Sequence, residues 1–119
     1  MSVHRPSRMR RTTHEKGARL MRLSDEEISA ALASDLSKWS RDGDFIRRQL
    51  VFEDFKEAWG FMNEVALSAE SMNHHPNWEN VYNRVDISLS THDSNGLTQL
   101  DLDLALQIEA CLARRHHAG

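Results

Sequence analysis

The clearest periodic pattern in the chain lies between Asp54 and Ser71. Its apolar residues recur at steps of three and four, the spacing of one face of an α-helix: Phe55, Ala58, Trp59, Met62, Val65, Ala66 and Ala69. We predict an amphipathic helix over about 55–71, with Asp54 as its N-cap. Pro76 stops any continuation and favours an extended backbone at His75. The two histidines at 74 and 75 therefore follow the predicted helix end.

Alternating patterns on either side of this helix indicate strands. Val85, Ile87, Leu89 and Thr91 alternate with polar residues, which predicts a half-buried strand with His92 at its end, on the polar side. Residues 78–82 are a candidate strand before it. Upstream, residues 45–52 are rich in aromatic and branched side chains and follow an Asp-Gly pair, a strong hairpin signal. We predict a hairpin with strands near 37–41 and 45–52.

Two more helices are predicted at the ends of this region. Ser24 and Glu27 fit a capping box before a helix over about 25–35. The last apolar segment fits both a strand, through the alternation from Leu100 to Ile108, and a helix, through Leu97, Leu100, Leu104, Ile108, Cys111 and Leu112. We predict a helix over about 98–114, because Thr98 and Asp101 can cap it and its composition favours helix.

A second apolar side on the last predicted helix carries Leu102 and Leu106. We expect a monomer to leave these side chains in water, which predicts contact with another subunit. The element order α-β-β-α-β-α, with hairpin-joined strands, predicts an α+β fold. It would have an antiparallel sheet of three to four strands with three helices packed on one face.

The charge is unevenly distributed along the 119 residues, whose formal net charge is −3. Met1–Arg22 contains seven Arg or Lys residues and one acid, Glu15. We predict a flexible basic N-terminal extension over 1–22 and one domain over 23–119. A solvated tail is the favoured interpretation of the extension, and an organelle-targeting segment is the main alternative. Direct nucleic-acid binding is less favoured, because no aromatic residues lie between the arginines.

Composition excludes several classes of protein. The single cysteine, Cys111, cannot form an internal disulfide, so nothing indicates an oxidising compartment. No apolar run approaches the roughly 18 residues of a membrane span, and no secretory signal is apparent. We expect a cytoplasmic protein, with a nuclear or organellar fraction as the alternative suggested by the basic extension.

The candidate chemistry lies in His74, His75 and His92. Histidine gives and takes protons near neutral pH, and Glu70, four residues before His74, could orient that imidazole. Trp78 and Tyr82 could pack against a flat ligand. A polar helix end is the unspecific alternative, and a metal site is disfavoured because adjacent histidine side chains usually diverge. Serine-hydrolase chemistry lacks its Gly-x-Ser-x-Gly motif.

These residues together resemble the pterin-4a-carbinolamine dehydratase family. The matching positions are "ESMNHHP" (70–76), Tyr82, "STHD" ending at His92 and Asp93, and Asp101, with "WGFM" (59–62) and "NVYNRVDISLSTHD" (80–93) close to the family's wording. The resemblance covers about residues 23–113. Animal members often have Asp immediately before the two histidines, where this chain has Asn73.

The resemblance implies an enzyme of tetrahydrobiopterin recycling that converts 4a-hydroxytetrahydrobiopterin to quinonoid dihydrobiopterin and water. It implies a homodimer or homotetramer and no metal or organic cofactor. Animal members also act as non-enzymatic dimerisation cofactors of a homeodomain transcription factor, which is the alternative function and would add a transcription factor as partner.

The resemblance also implies site residues. We assign His74, His75 and His92 to acid–base catalysis, with Glu70 orienting His74. Which histidine is the acid stays open. Asp101 would be a supporting carboxylate, and the pterin ring would pack near Trp78. The other positions expected to bind substrate or support the site are Asn73, Pro76, Tyr82, Thr91 and Asp93.

Overall fold

Helices and strands alternate along residues 20–118, the part of the chain that the structure, a computed structural model, describes. The helices are α1 (Asp25–Leu32), α2 (Phe55–Met72) and α3 (Gln99–Ala118), and the strands are β1 (Ser40–Asp42), β2 (Phe45–Val51), β3 (Asn77–Val81) and β4 (Arg84–Leu89). A short 3-10 helix, His92–Ser94, follows β4. The α+β prediction with three helices and an antiparallel sheet is confirmed, and the candidate strand at 78–82 is the fourth strand.

The register of the sheet determines which loops meet. The strand order is β1-β2-β4-β3, and all neighbours are antiparallel. Ile46 of β2 pairs with Leu89 of β4, and Asn77 of β3 pairs with Ser88 of β4. The first residues of β2 and β3 and the last residues of β4 therefore lie at the same end of the sheet. That end carries the β1–β2 turn, the two histidines before β3 and His92 after β4.

The β1–β2 hairpin is confirmed, but its first strand lies further along the chain than predicted. Asp42 pairs with Phe45 across Gly43, whose φ of 62° is left-handed, and Asp44. Residues 37–39 of the predicted strand lie outside β1, and Trp39 is buried in the core. Its indole Nε1 donates to the Glu109 carboxylate of α3 over 2.8 Å.

One core fills the space between the sheet and the helices. The buried strand residues Ile46, Val85, Ile87 and Leu89 alternate with polar residues that face away, as expected for a sheet covered on one side. The largest fully buried helix residues are Ile28, Phe61, Val65, Leu104 and Ile108. Because α2 packs against α3, the two long helices form the layer that covers the sheet.

The predicted second face of α3 is wrong in part. Leu102 is 8% exposed and belongs to the core, whereas Leu106 is 42% exposed. The reason is that α3 buries a broad arc of residues, including Ala105 and Cys111, and not a single stripe. Leu102 is thus buried within the subunit, and Leu106 is the one residue of the predicted pair that is exposed.

The start of the domain is fixed by contacts to the segment between β4 and α3. The Ser94 hydroxyl donates to the Leu20 carbonyl, and the Leu23 amide donates to the Leu97 carbonyl over 2.9 Å. The last residues of the predicted extension therefore contact the domain. Its first 19 residues lie outside the described part. In the described part, no helix combines the length and the hydropathy that crossing a membrane requires.

Candidate active site

A cavity of about 830 Å³ opens at the sheet end where the β1–β2 turn, the start of β3 and the end of β4 meet. His74, His75 and His92 all line it. Two of them precede β3 and the third follows β4, so the antiparallel pairing of these strands brings them together. The three predicted catalytic residues therefore share one cavity.

The end of α2 determines where His74 and His75 point. Asn73 caps the helix in the left-handed conformation, with φ of 51°, which asparagine tolerates better than most residues. The His74 amide then donates to the Ala69 carbonyl over 3.0 Å, which closes the helix end. Because the chain reverses at Asn73, His74 turns inward and is buried, whereas His75 is exposed.

The buried carboxylate of Asp101 holds His74. Its Oδ1 lies 2.6 Å from His74 Nε2, and its Oδ2 accepts from the Thr91 hydroxyl over 2.8 Å and from the Thr98 amide over 2.9 Å. Since the carboxylate accepts all three hydrogen bonds, the proton on the His74 ring is on Nε2. In the neutral ring, the lone pair of His74 is therefore on Nδ1.

Thr98 is a site residue that the sequence indicated only as a helix cap. Its hydroxyl oxygen lies 2.7 Å from that of Thr91 and accepts from the Leu100 amide over 3.3 Å. Because the Thr91 proton is used on Asp101, the Thr98 hydroxyl donates to Thr91. The predicted capping pair is confirmed, and its Asp also holds the buried histidine. The Thr-x-x-Asp spacing was the signal that could have revealed this role.

Glu70 contacts His75 and not His74. Its Oε1 lies 2.9 Å from His75 Nε2, and both side chains are exposed. The prediction that Glu70 orients His74 is therefore wrong. It assumed that the helix continued for one more turn, whereas the reversal at Asn73 turns His74 toward Asp101 and leaves His75 beside Glu70.

The remaining predicted site residues divide into two groups. Asn73, Thr91 and Asp93 line the cavity. Trp78 and Tyr82 do not: Trp78 packs against the core, and Tyr82 is 63% exposed in the β3–β4 turn. Tyr82 follows Asn77 by five residues, about 17 Å along an extended chain, so it belongs to the opposite end of the sheet. Pro76 connects His75 to β3 without lining the cavity.

The β1–β2 turn contributes lining residues that the sequence analysis did not consider. Asp44 and Phe45 line the cavity, and Phe45 is the one Phe, Tyr or Trp side chain among the described lining residues. Leu20 lines it as well. No local motif marks these positions as functional. The hairpin signal at Asp42-Gly43, combined with the strand order, is what places the turn beside the histidines.

Other reactive groups do not converge on this cavity. Among the side chains that the structure describes, which end at Arg115, no three His, Cys, Asp or Glu residues are grouped as metal ligands. Cys111 is buried in α3 and lies outside the cavity lining. Its burial raises the pKa of the thiol, with a smaller contribution from Glu64. The arrangement at the cavity is therefore suited to proton transfer by imidazoles.

The chain is similar to known proteins over most of its length. The profile of the family described as "Pterin 4 alpha carbinolamine dehydratase" matches residues 21–111. A Burkholderia multivorans protein is 52% identical over 100 residues, covering 82% of this chain and 97% of its own length. A Novosphingobium aromaticivorans protein is 52% identical over 93 residues, covering 76% and 96%. Both carry the name "Putative pterin-4-alpha-carbinolamine dehydratase".

A solved structure has a similar fold. It is described as a transcriptional coactivator/pterin dehydratase from Brucella melitensis, and it superposes with a TM-score of 0.72 at 43% sequence identity. The superposition covers 76% of this chain and 97% of the Brucella chain. The family match over residues 21–111 therefore covers most of the described part of the chain and every cavity-lining residue except Leu20.

Proposed function

Since this chain belongs to the pterin 4 alpha carbinolamine dehydratase family, we propose that it dehydrates 4a-hydroxytetrahydropterins, such as 4a-hydroxytetrahydrobiopterin, to quinonoid dihydropterins. The observation that carries the proposal is the placement of three histidines around one cavity, with one of them held by a buried carboxylate. The reaction would serve tetrahydrobiopterin recycling after a pterin-dependent hydroxylation.

The reaction needs one proton donor and one proton acceptor. The bond between C4a and its hydroxyl oxygen breaks while that oxygen takes a proton, and water leaves. The lone pair of the neighbouring ring nitrogen forms the new C=N bond, and the proton on that nitrogen then departs. No electron is gained or lost, so acid–base groups that work near neutral pH supply the required chemistry.

His74 is suited to the role of base. Asp101 fixes the ring orientation and keeps the proton on Nε2, so Nδ1 is the atom that can accept a proton. His74 is also buried, which keeps its geometry constant. Asp101 acts through His74 and is a positioning residue in this mechanism.

The acid role falls to His75 or His92. Both are exposed and can regain a proton from water after each turnover. Glu70 Oε1 lies 2.9 Å from His75 Nε2, so Nδ1 is the ring nitrogen of His75 that Glu70 leaves unengaged. His92 begins the 3-10 helix after β4, and its backbone position is fixed by the bond from the Asn95 amide to the His92 carbonyl over 3.1 Å.

Stopped-flow absorbance is the direct test. Purified protein should accelerate the decay of enzymatically generated 4a-hydroxytetrahydropterin over its rate in buffer, and the acceleration should scale with protein concentration. A decay rate equal to that in buffer at micromolar protein would overturn the proposed reaction. Because spontaneous dehydration also occurs, the buffer rate is the necessary control at each pH.

A second candidate function is binding to a transcription factor. The Brucella structure is described as a coactivator as well as a dehydratase, and this chain exposes Phe55, Trp59 and Leu67 on α2. We propose that these residues mediate association, first of all into a homodimer or homotetramer. Trp59→Glu with Leu67→Glu should shift the mass measured by light scattering toward the monomer.

The outcome of that experiment shows whether association and dehydration depend on separate parts of the protein. Dehydration that survives in the double variant would separate the association surface from the catalytic cavity. An unchanged mass would instead show that α2 does not mediate assembly.

The cytoplasm is the compartment that we propose for the enzyme, because its single cysteine gives no indication of an oxidising environment.

A further inference from the structure

We propose that the β1–β2 turn recognises the substrate through two adjacent residues, Asp44 and Phe45. Asp44 accepts hydrogen bonds from the N3–H and the 2-amino group of the pterin, and Phe45 packs against the face of the ring. This inference rests on the proposed function, since it names the groups that select the substrate class of that same cavity.

Asp44 is available for a ligand, whereas Asp101 and Glu70 are engaged. Both oxygens of Asp101 accept hydrogen bonds from the protein, and Glu70 is paired with His75. Among the described residues, nothing donates a hydrogen bond to Asp44, although its side chain lines the cavity. Asp93 is the other cavity-lining carboxylate without such a donor in the described region.

The chemistry of the pterin ring favours Asp44 over Asp93. The N3–H and the 2-amino group point in parallel from one edge, like the two donors of an arginine side chain, and one carboxylate can accept both. In the pyrimidine ring, C2 lies opposite C4a, where the hydroxyl leaves. The group that reads the 2-amino edge must therefore lie away from the histidines. Asp93 directly follows His92, whereas Asp44 belongs to a separate hairpin.

Phe45 supplies an aromatic surface that contacts a neighbour in its own hairpin. The guanidinium of Arg47 lies 5.8 Å from the centre of the Phe45 ring, and Arg47 is paired with Asp42 over 2.8 Å. These contacts lie within one hairpin and favour this orientation of the ring. A flat heterocycle packs favourably on such a ring. The packing role predicted for Trp78 or Tyr82 is thereby assigned to Phe45.

Equilibrium binding of two inert ligands to the full chain tests this proposal. 6-Methyl-7,8-dihydropterin has the 2-amino group, and 6-methyl-7,8-dihydrolumazine has an oxygen there, which a carboxylate repels. Neither has a 4a-hydroxyl, so binding is measured without turnover. Wild type should prefer the pterin by about 10-fold or more, the usual effect of a charge-assisted hydrogen bond. Asp44→Asn should abolish or reverse that preference, because an amide can donate to the oxygen.

Phe45→Ala should weaken both ligands by about 10-fold and leave their ratio unchanged, since ring packing does not distinguish them. Phe45→Tyr should bind like wild type. Asp35→Asn, an exposed carboxylate outside the cavity lining, is the matched control and should change neither ligand. Circular dichroism and melting temperature check the fold of each variant.

Three results would overturn the proposal: a wild-type ratio near one, an unchanged ratio in Asp44→Asn, or a ratio lost in Asp93→Asn instead. An unchanged affinity in Phe45→Ala would overturn the role of Phe45. These failures are distinguishable from failure of the proposed reaction. If wild type selects the pterin through Asp44 but does not accelerate dehydration, the recognition site is supported and the proposed reaction is overturned. If wild type accelerates dehydration without selecting the pterin through Asp44, the reaction is supported and the recognition site is overturned.

Discussion

The Asp101 carboxylate accepts a hydrogen bond from His74 Nε2 over 2.6 Å, although 27 positions separate the two residues in the chain. This bond joins the end of α2 to the first turn of α3. It also orients the imidazole that we assign as the base.

Asp101→Asn should lower the kcat of dehydration by about 10²-fold or more, because an amide allows the other tautomer of His74. The KM should change little, since Asp101 does not line the cavity. Stopped-flow kinetics measures both constants, with Asp35→Asn as the matched control. A kcat within threefold of wild type, in a folded variant, would exclude His74 as the base.

His75→Ala and His92→Ala should each slow dehydration by roughly 10²–10⁴-fold if that histidine is the acid, the usual range for a general acid–base group. Glu70→Gln should have a smaller effect, because the His75–Glu70 pair is exposed to water.

A metal chelator should not alter the dehydration activity of wild type. Inhibition by EDTA that zinc restores would contradict a mechanism based on imidazoles alone.

Leu102→Ala should destabilise the protein by about 2–5 kcal/mol, whereas Leu106→Ala should cost less than about 1 kcal/mol. The difference follows from their burial, since Leu102 is in the core and Leu106 is partly in water. Urea unfolding measures both free energies. Equal losses would show that Leu106 is covered in solution, for which light scattering provides the independent measurement.

Removal of residues 1–19 should leave the melting temperature within about 2 °C of the full chain, because their composition is that of a solvated segment. Removal of residues 1–23 should lower it by several degrees. The longer deletion removes the bonds at Leu20 and Leu23, each worth about 0.5–1.5 kcal/mol. A large loss with the shorter deletion would show that the first 19 residues pack on the domain.

Stability should fall as the pH rises above about 9, partly through Cys111. Burial raises the pKa of this thiol above its ordinary value of 9.0, so the unfolded chain releases its proton at lower pH than the folded chain. The stabilisation is complete below that value and is lost above it. Urea unfolding between pH 8 and 10.5 should show a shallower decline for Cys111→Ala. Parallel curves would mean that the folded thiol titrates normally.

Local sequence patterns predicted most of the fold because each helix and strand carries its own signal. The capping box at Ser24, the helix cap at Thr98 and the alternation over Val85–Leu89 act over a few residues, and the structure has the corresponding elements. The position of β1 was shifted because Trp39 forms a contact with Glu109, 70 positions away. A contact between residues so far apart in the chain produces no pattern among a few neighbouring residues.

The sequence predicted the three histidines of the site, but it did not predict which carboxylate contacts which histidine. The spacing from Glu70 to His74 suggested one helical turn, but the left-handed Asn73 reversed the chain between them. Phe45 and Asp44 were missed because their proximity to the histidines depends on β2 lying beside β4, and strand order is a property of the whole sheet.

The double role of Asp101 has a consequence for protein engineering. The same carboxylate caps the first turn of α3 and holds His74, so selection for heat resistance and selection for turnover act on one residue. Thr98 can vary to Ser without changing the donors available to Asp101, whereas position 101 has no substitute that keeps both the charge and the reach. A library that aims to improve thermal tolerance should therefore keep Asp101 fixed and diversify exposed positions such as Gln107 and Ala110.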